Sequence, residues 1–111
     1  MDNYHKKLLK DMLTCIENIV NYVGDNPTFA EYENNPLLQD AVEQNLITIG
    51  EAMNALLKLS PQLNFANARK IVDTRNKLTH AYDVIENLQI WNIIIQHLPI
   101  LKLEIKSMLG E

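Results

Sequence analysis

The only two arginines of this chain, Arg69 and Arg75, lie just ahead of His80 and Tyr82, in a run that holds four of the ten Lys and Arg residues of a protein with net charge −4. A guanidinium group can grip a phosphate through two parallel hydrogen bonds. An imidazole can accept or donate a proton near neutral pH. Arg75 precedes His80 by five positions, so this pair is suited to chemistry at a phosphate group.

Helix geometry limits how Arg75 and His80 can act together. At about 100° per residue, His80 lies about 140° around a helix from Arg75, whereas Tyr82 returns nearly to the direction of Arg75. Either the helix ends before His80, or a second copy of the chain supplies the missing half. Both arrangements predict a shallow, shared site. By spacing alone, such an Arg–His pair is more often an ordinary surface pair.

Apolar residues at steps of three and four positions predict four main helices and one short one. Their expected ranges are Tyr4 to Val23, Thr28 to Tyr32, Pro36 to Leu59, Phe65 to Thr79 or His80, and Asn87 to Leu109. No segment alternates polar and apolar residues over a sustained length. The predicted fold class is therefore all-α, an up-and-down four-helix bundle plus one short helix.

Three residues within this plan have specific expected effects. Asn64 is predicted to cap the fourth helix. Pro99 lacks an N–H group and is predicted to kink the last helix. Gly50 lies at the edge of the apolar face of the third helix, where a missing side chain would allow another helix to approach closely.

Composition sets the remaining expectations. A chain of 111 residues, 47% of them hydrophobic, predicts a single domain over residues 1–111. Cys15 is alone and forms no metal-ligand pattern with His5 and His97, so neither a disulfide, a metal nor another cofactor is expected. The segment from Ile90 to Leu103 is too short and too polar to span a bilayer. We expect a soluble cytoplasmic protein without membrane contact.

The net charge of −4 argues against a protein that coats nucleic acid, because such a protein needs a broad basic surface. It is compatible with an enzyme that contacts one or two phosphates.

Two motifs resemble a known family. The run Arg75-Asn76-Lys77-Leu78-Thr79-His80-Ala81-Tyr82 resembles the signature of HEPN ribonucleases, and the Tyr two positions after the His resembles HepT-like toxins of prokaryotic toxin–antitoxin modules. Ile49-Gly50-Glu51-Ala52 is similar to an Ile-Gly-Glu-Ala stretch in that family. Trp91 and Leu98-Pro99-Ile100-Leu101 resemble its last helix, so the similarity covers nearly the whole chain. Family members often have Gly at the position of Ala81, and many have Trp where this chain has Phe65 or Asn67.

The resemblance implies a HEPN-like, two-fold homodimer that cleaves RNA, either tRNA or mRNA, without a metal ion. Arg75 and His80 would be catalytic, and Asn76 would orient His80 or the phosphate. His80 would move a proton, Arg75 would stabilise charge on the phosphate, and the products would be a 2′,3′-cyclic phosphate and a 5′-hydroxyl. The RNA backbone would be bound by Arg69, Lys70 and Lys77.

The resemblance also implies regulation within a type VII, HepT/MntA-like toxin–antitoxin module. The partner would be a minimal nucleotidyltransferase antitoxin that inactivates the toxin by attaching AMP to Tyr82. The added phosphate and nucleoside would occupy the cleft beside Arg75 and His80.

The residues are also compatible with two other functions. The chain could be a non-catalytic nucleotide-binding or substrate-presenting subunit of a nucleotidyltransferase complex, in which Arg75 holds phosphate. It could also be a purely structural helical adaptor. The roles of Glu51 and Cys15 are not determined by the sequence.

Overall fold

The computed structural model describes residues 1–80 and 83–111, and these residues contain helices but no strand. The helices are α1 (Asn3–Val23), α2 (Phe29–Glu33), α3 (Pro36–Leu59), α4 (Ala68–Thr79), α5 (Asn87–Asn92) and α6 (Leu98–Leu109), with a π-helical segment (Ile93–His97) joining α5 to α6. The predicted all-α bundle is confirmed: α1, α3, α4 and the continuous α5–α6 unit are the main helices, and α2 is the short one.

Local capping explains why α1 and α3 begin where they do. The Asp2 carboxylate accepts the His5 N–H at 2.9 Å, and the Asn35 side chain accepts the Leu38 N–H at 3.0 Å. Each cap satisfies an N–H group that the first turn of a helix leaves without a partner. α1 ends at Gly24, whose φ of 81° favours glycine.

The central element is α3, which packs against α1 on one side and against α4 on another, while α6 packs on α1. Burial of each large apolar side chain contributes about 1.5–3 kcal/mol. The largest fully buried side chains are Leu9, Met12, Ile16, Ile19, Tyr32, Ile49, Met53, Leu56, Ile90, Ile93, Leu98 and Leu101. α3 therefore lies in the core and supports α4, the helix that carries the candidate residues.

The predicted start of α4 was wrong by three residues. The helix begins at Ala68, with Asn67 and not Asn64 at the capping position. Phe65 is buried in the core without being helical, and the Ala66 N–H donates to the Glu104 carboxylate of α6 at 2.9 Å. The later start of the helix therefore coincides with burial of Phe65 and with a contact between residues that are distant in sequence.

The predicted irregularity near Pro99 takes a different form. The Ile93–His97 segment is π-helical, and Pro99 lies in the first turn of α6. The Leu98 N–H donates to the Ile93 carbonyl, five residues back. The wider π-helical turn before Pro99 relieves the conflict between the proline ring and the preceding turn.

Among the described helices, none is both long enough and apolar enough to cross a membrane.

Candidate active site

The C-terminal half of α4 carries Arg75 and Asn76, and the helix ends immediately before His80. His80 has extended backbone angles, φ −95° and ψ 121°, and its N–H donates to the Lys77 carbonyl at 3.3 Å. The Thr79 hydroxyl donates to the Arg75 carbonyl at 3.0 Å and so satisfies part of the helix end. The helix thus ends before His80, the first of the two arrangements that the sequence allowed.

Gly50 of α3 sets the position of Arg75. A Cβ atom built on Gly50 would overlap the Arg75 Cβ and would lie 2.8 Å from its Cγ and 3.2 Å from the Ile71 carbonyl oxygen. Only a residue without a side chain lets α3 and α4 approach this closely. The expected close approach at Gly50 is confirmed, and the residue it admits is the arginine of the motif.

Two polar side chains hold the Arg75 guanidinium group. Nη1 donates to the Asn76 side-chain oxygen at 3.0 Å, and Nη2 lies 3.7 Å from Glu51 Oε1. Arg75 Nε is buried and has no hydrogen-bond partner among the described residues. Since an arginine has five N–H donors, the guanidinium keeps donors for a further anion.

The exposure of these groups determines how strongly they hold each other. The side chain of Arg75 is 31% exposed and that of Glu51 is 55% exposed, so water screens their ion pair. Glu51 therefore orients the guanidinium, but the ion pair is weak enough for a phosphate to compete for the same donors. The His80 side chain is 58% exposed, and its Nδ1 lies 3.6 Å from Asp83 Oδ2.

The structure separates the basic residues that the sequence grouped together. Arg69 lies beside a groove between α3 and α4, together with Lys58, which the sequence analysis did not select. Lys70 and Lys77 lie on another side of α4, where they face α5. The three residues predicted to bind RNA backbone thus belong to two surfaces.

Comparison with known proteins identifies the family. A family model described as HepT-like ribonuclease matches residues 12–108. The chain belongs to the HepT-like ribonuclease family.

Three proteins of Methanocaldococcus jannaschii, each named "Putative RNase", are similar to this HepT-like chain. Two are 28% identical over 110 residues, covering 96% of this chain and 91% or 88% of the relative. A third is 32% identical over 98 residues, covering 85% of this chain and 78% of the relative. No solved structure matches the chain. Nearly the whole length is thus shared with proteins named as ribonucleases.

Glu51 is the site residue of this HepT-like chain that the sequence analysis missed. It belongs to the Ile49-Gly50-Glu51-Ala52 motif, which was used only to support the resemblance. The motif contains both the residue that admits Arg75 and the carboxylate that directs its guanidinium. A polar residue beside a helical glycine was the signal that could have identified it.

Ala81 and Tyr82 lie outside the described residues, so the predicted modification of Tyr82 stays a prediction. Within residues 1–80 and 83–111, no three His, Cys, Asp or Glu side chains form a group that could hold a metal ion.

Cys15 and His5 carry chemically reactive groups, but their surroundings fit a structural role. Cys15 is buried in the core, and this burial raises the pKa of its thiol, so it is a poor nucleophile. His5 bridges two helix ends, with Nδ1 2.7 Å from the Asp2 carboxylate and Nε2 2.6 Å from the Ser60 hydroxyl. These two contacts give His5 a structural role at the helix ends.

Proposed function

We propose that this protein is a metal-independent endoribonuclease in which Arg75 and His80 act on one phosphodiester. The observation that carries the proposal is the anchoring of Arg75. Its side chain packs on Gly50, its guanidinium is held by Glu51 and Asn76, and His80 follows at the exposed end of the same helix. Membership of the HepT-like ribonuclease family supports RNA as the substrate, and we propose that this RNA is tRNA or mRNA.

The proposed reaction uses the 2′-hydroxyl of the RNA as the nucleophile. His80 removes the hydroxyl proton, the 2′-oxygen bonds to the adjacent phosphorus, and the bond from phosphorus to the 5′-oxygen breaks. The departing oxygen takes a proton, so the products are a 2′,3′-cyclic phosphate and a 5′-hydroxyl. Arg75 stabilises the negative charge that builds on the non-bridging oxygens. Asn76 holds the guanidinium in place for this step.

A second copy of the chain completes the site. The reaction needs one group that accepts a proton and another that donates one. Between Arg69 and Tyr82 each chain has one histidine, His80. In a two-fold homodimer whose α4 helices face each other, the two His80 side chains supply both functions. The exposure of His80 and the partial exposure of Arg75 are compatible with a cleft shared between copies.

The products test the reaction directly. Purified protein incubated with RNA in EDTA should produce fragments that end in 2′,3′-cyclic phosphate, identified by mass spectrometry. RNA carrying 2′-O-methyl groups should remain intact because its nucleophile is blocked. Cleavage that needs an added divalent ion, or cleavage of the methylated RNA, would contradict the mechanism. Tight nucleotide binding with no cleavage would instead favour a nucleotide-binding subunit of a nucleotidyltransferase complex.

We further propose that the protein is the toxin of a type VII, HepT/MntA-like module and that a minimal nucleotidyltransferase antitoxin inactivates it. The Tyr82 phenol oxygen attacks the α-phosphorus of ATP, pyrophosphate leaves, and the phenol proton passes to solvent. The attached AMP brings an anionic phosphate next to His80 in the chain, where it competes for the donors of Arg75.

Co-expression with the cognate nucleotidyltransferase tests this modification. Intact-protein mass spectrometry should detect a gain of one AMP group together with loss of RNA cleavage. Tyr82→Phe should abolish the gain, whereas Tyr4→Phe, which changes an exposed tyrosine of α1, should leave it unchanged. A gain of AMP that persists in Tyr82→Phe would assign the modification to another residue.

A further inference from the structure

The groove between α3 and α4 offers a second binding surface beside Arg75. We call it the α3–α4 groove and define it by Asn54, Leu57, Lys58, Phe65, Arg69 and Val72. Its volume of about 430 Å³ lies in the range of about 300–1,000 Å³ in which proteins hold small ligands.

The α3–α4 groove is continuous with the surroundings of the Arg75 guanidinium. On α3, Asn54 and Lys58 follow Glu51 at steps of three and seven residues, so they lie on the same face of that helix. On α4, Val72 and Arg69 precede Asn76 at steps of four and seven residues and share a face in the same way. Glu51 and Asn76 are the partners of the Arg75 guanidinium. These faces of α3 and α4 therefore connect the guanidinium to the groove. Asn54 lies about 6 Å along α3 from Gly50, one helical turn away.

Charge favours an anionic occupant. Lys58 and Arg69 flank the α3–α4 groove, and none of the described residues that line it carries a carboxylate. The Arg69 side chain is 85% exposed and pairs with Asp73 only at 3.9 Å. Because exposed ion pairs of this kind contribute little, Arg69 can turn to a phosphate at small cost.

The floor of the α3–α4 groove suits the remainder of a nucleotide. Leu57 and the small exposed parts of Phe65 and Val72, which are otherwise buried, form the apolar floor. The Asn54 side chain adds an amide that can donate and accept hydrogen bonds. Proteins that bind single-stranded RNA combine these features: cations for phosphates, apolar surface for bases and amides for base edges.

We infer that the α3–α4 groove binds the nucleotide whose phosphate is next to the cleaved one. Lys58 and Arg69 contact that phosphate, and the apolar floor receives its nucleoside. This inference rests on the proposed ribonuclease function. It gives the RNA strand a path on each chain, from the end of α4 at His80, past Arg75, towards the beginning of α4.

The other basic surface of α4 is less suited to this role. Lys70 and Lys77 line a smaller groove of about 140 Å³, and Asp73 lies between them in that lining. The carboxylate lies in the lining of this groove, whereas it approaches the α3–α4 groove only through its 3.9 Å pair with Arg69. The volume is also small for a nucleotide. Removal of these two lysines should therefore weaken RNA binding less than removal of Lys58 and Arg69.

Binding to a non-cleavable RNA tests the inference. A fluorescent hexanucleotide with 2′-O-methyl groups is titrated with wild-type protein and with three double variants, and the dissociation constant is measured by anisotropy. Lys58→Ala with Arg69→Ala should weaken binding by about tenfold and should reduce the salt-dependence slope by about 0.7 for each phosphate that is no longer neutralised. Lys70→Ala with Lys77→Ala should weaken binding less. Lys6→Ala with Lys10→Ala, which removes equal charge from the exposed face of α1, should change binding least.

A cleavage measurement separates the α3–α4 groove from the catalytic groups. A dinucleoside monophosphate contains only the phosphate that is cleaved, so it lacks the phosphate that Lys58 and Arg69 would contact. The Lys58→Ala, Arg69→Ala variant should lose kcat/KM on hexanucleotide RNA while its kcat/KM on the dinucleoside monophosphate stays close to wild type.

The possible outcomes distinguish failure of the groove assignment from failure of the ribonuclease proposal. Binding and cleavage at wild-type levels in the Lys58, Arg69 variant, or an equal loss in the Lys70, Lys77 variant, would overturn the groove assignment and leave the ribonuclease intact. A change of oligomeric state on size-exclusion chromatography without a change in RNA binding would make the groove a protein interface and would also overturn it. Wild-type protein that neither binds nor cleaves RNA would overturn both proposals.

Discussion

Arg75→Ala and His80→Ala should each nearly abolish RNA cleavage while leaving the protein folded. Loss of one group that stabilises transition-state charge lowers rates by about 10²–10³-fold, and loss of a general acid or base lowers them by about 10²–10⁴-fold. Because both act on the same phosphodiester, the double variant should lose much less than the product of the single losses. The rates are measured under single-turnover conditions on one RNA substrate.

The surroundings of Arg75 explain why this loss should be catalytic and not structural. Alanine retains the Cβ atom that packs on Gly50, and the partners that remain, Glu51 and Asn76, are exposed and can bind water. The free energy of unfolding should therefore change by less than about 1 kcal/mol.

Two controls sharpen the measurement. Arg75→Lys keeps the charge but loses the planar pair of donors, so it should restore only part of the activity. Lys10→Ala removes a charge from the exposed face of α1 and should cleave RNA at the wild-type rate. RNA cleavage that survives both Arg75→Ala and His80→Ala would show that the assigned site is wrong.

Gly50→Ala should reduce both stability and RNA cleavage, although it adds only one methyl group at an internal helix position. The new Cβ would overlap the Arg75 Cβ and press on the Ile71 carbonyl oxygen. Overpacking costs about 1–3 kcal/mol. A clash with a Cβ atom and a backbone oxygen belongs at the upper end of this range, above the gain of about 1 kcal/mol in helix propensity. The displaced Arg75 should lower the cleavage rate at least about tenfold, since small shifts of a positioned group have large effects on rate.

A double-mutant cycle identifies the source of the Gly50 effect. Arg75→Gly removes the Cβ atom that the new methyl group would overlap, whereas Arg75→Ala keeps it. Gly50→Ala should therefore destabilise the protein less in the Arg75→Gly background than in the Arg75→Ala background, as measured by thermal and urea unfolding. Equal destabilisation in the two backgrounds would mean that the Gly50–Arg75 contact is not what requires glycine.

The Gly50–Arg75 contact also bears on the family motifs. Ile49-Gly50-Glu51-Ala52 and Arg75-Asn76 are about 25 residues apart in sequence, yet Gly50 and Glu51 of α3 both contact Arg75. The two motifs are therefore halves of one structural unit, in which the first determines where the guanidinium of the second lies.

Much of the fold was predictable because its causes are local. The apolar spacing gave the helices, and Asn35-Pro36 and Ser60-Pro61 bound α3 where the structure has it, at Pro36–Leu59. The two errors concern the start of α4 and the form of the last helix. α4 starts three residues late, where Phe65 is buried in the core and Ala66 is bound to Glu104. The last helix contains a π-helical segment before Pro99.

The sequence by itself determined the all-α architecture, the family and the identity of Arg75 and His80 as candidates, because periodicity, capping and motif spacing depend only on residues near one another in the chain. Only the tertiary structure decided that Gly50 admits Arg75, that Glu51 directs it, and that Arg69 is separated from Lys70 and Lys77. These facts depend on how closely α3 and α4 approach and on which faces they turn to each other. That geometry follows from the packing of the whole core and not from any single segment.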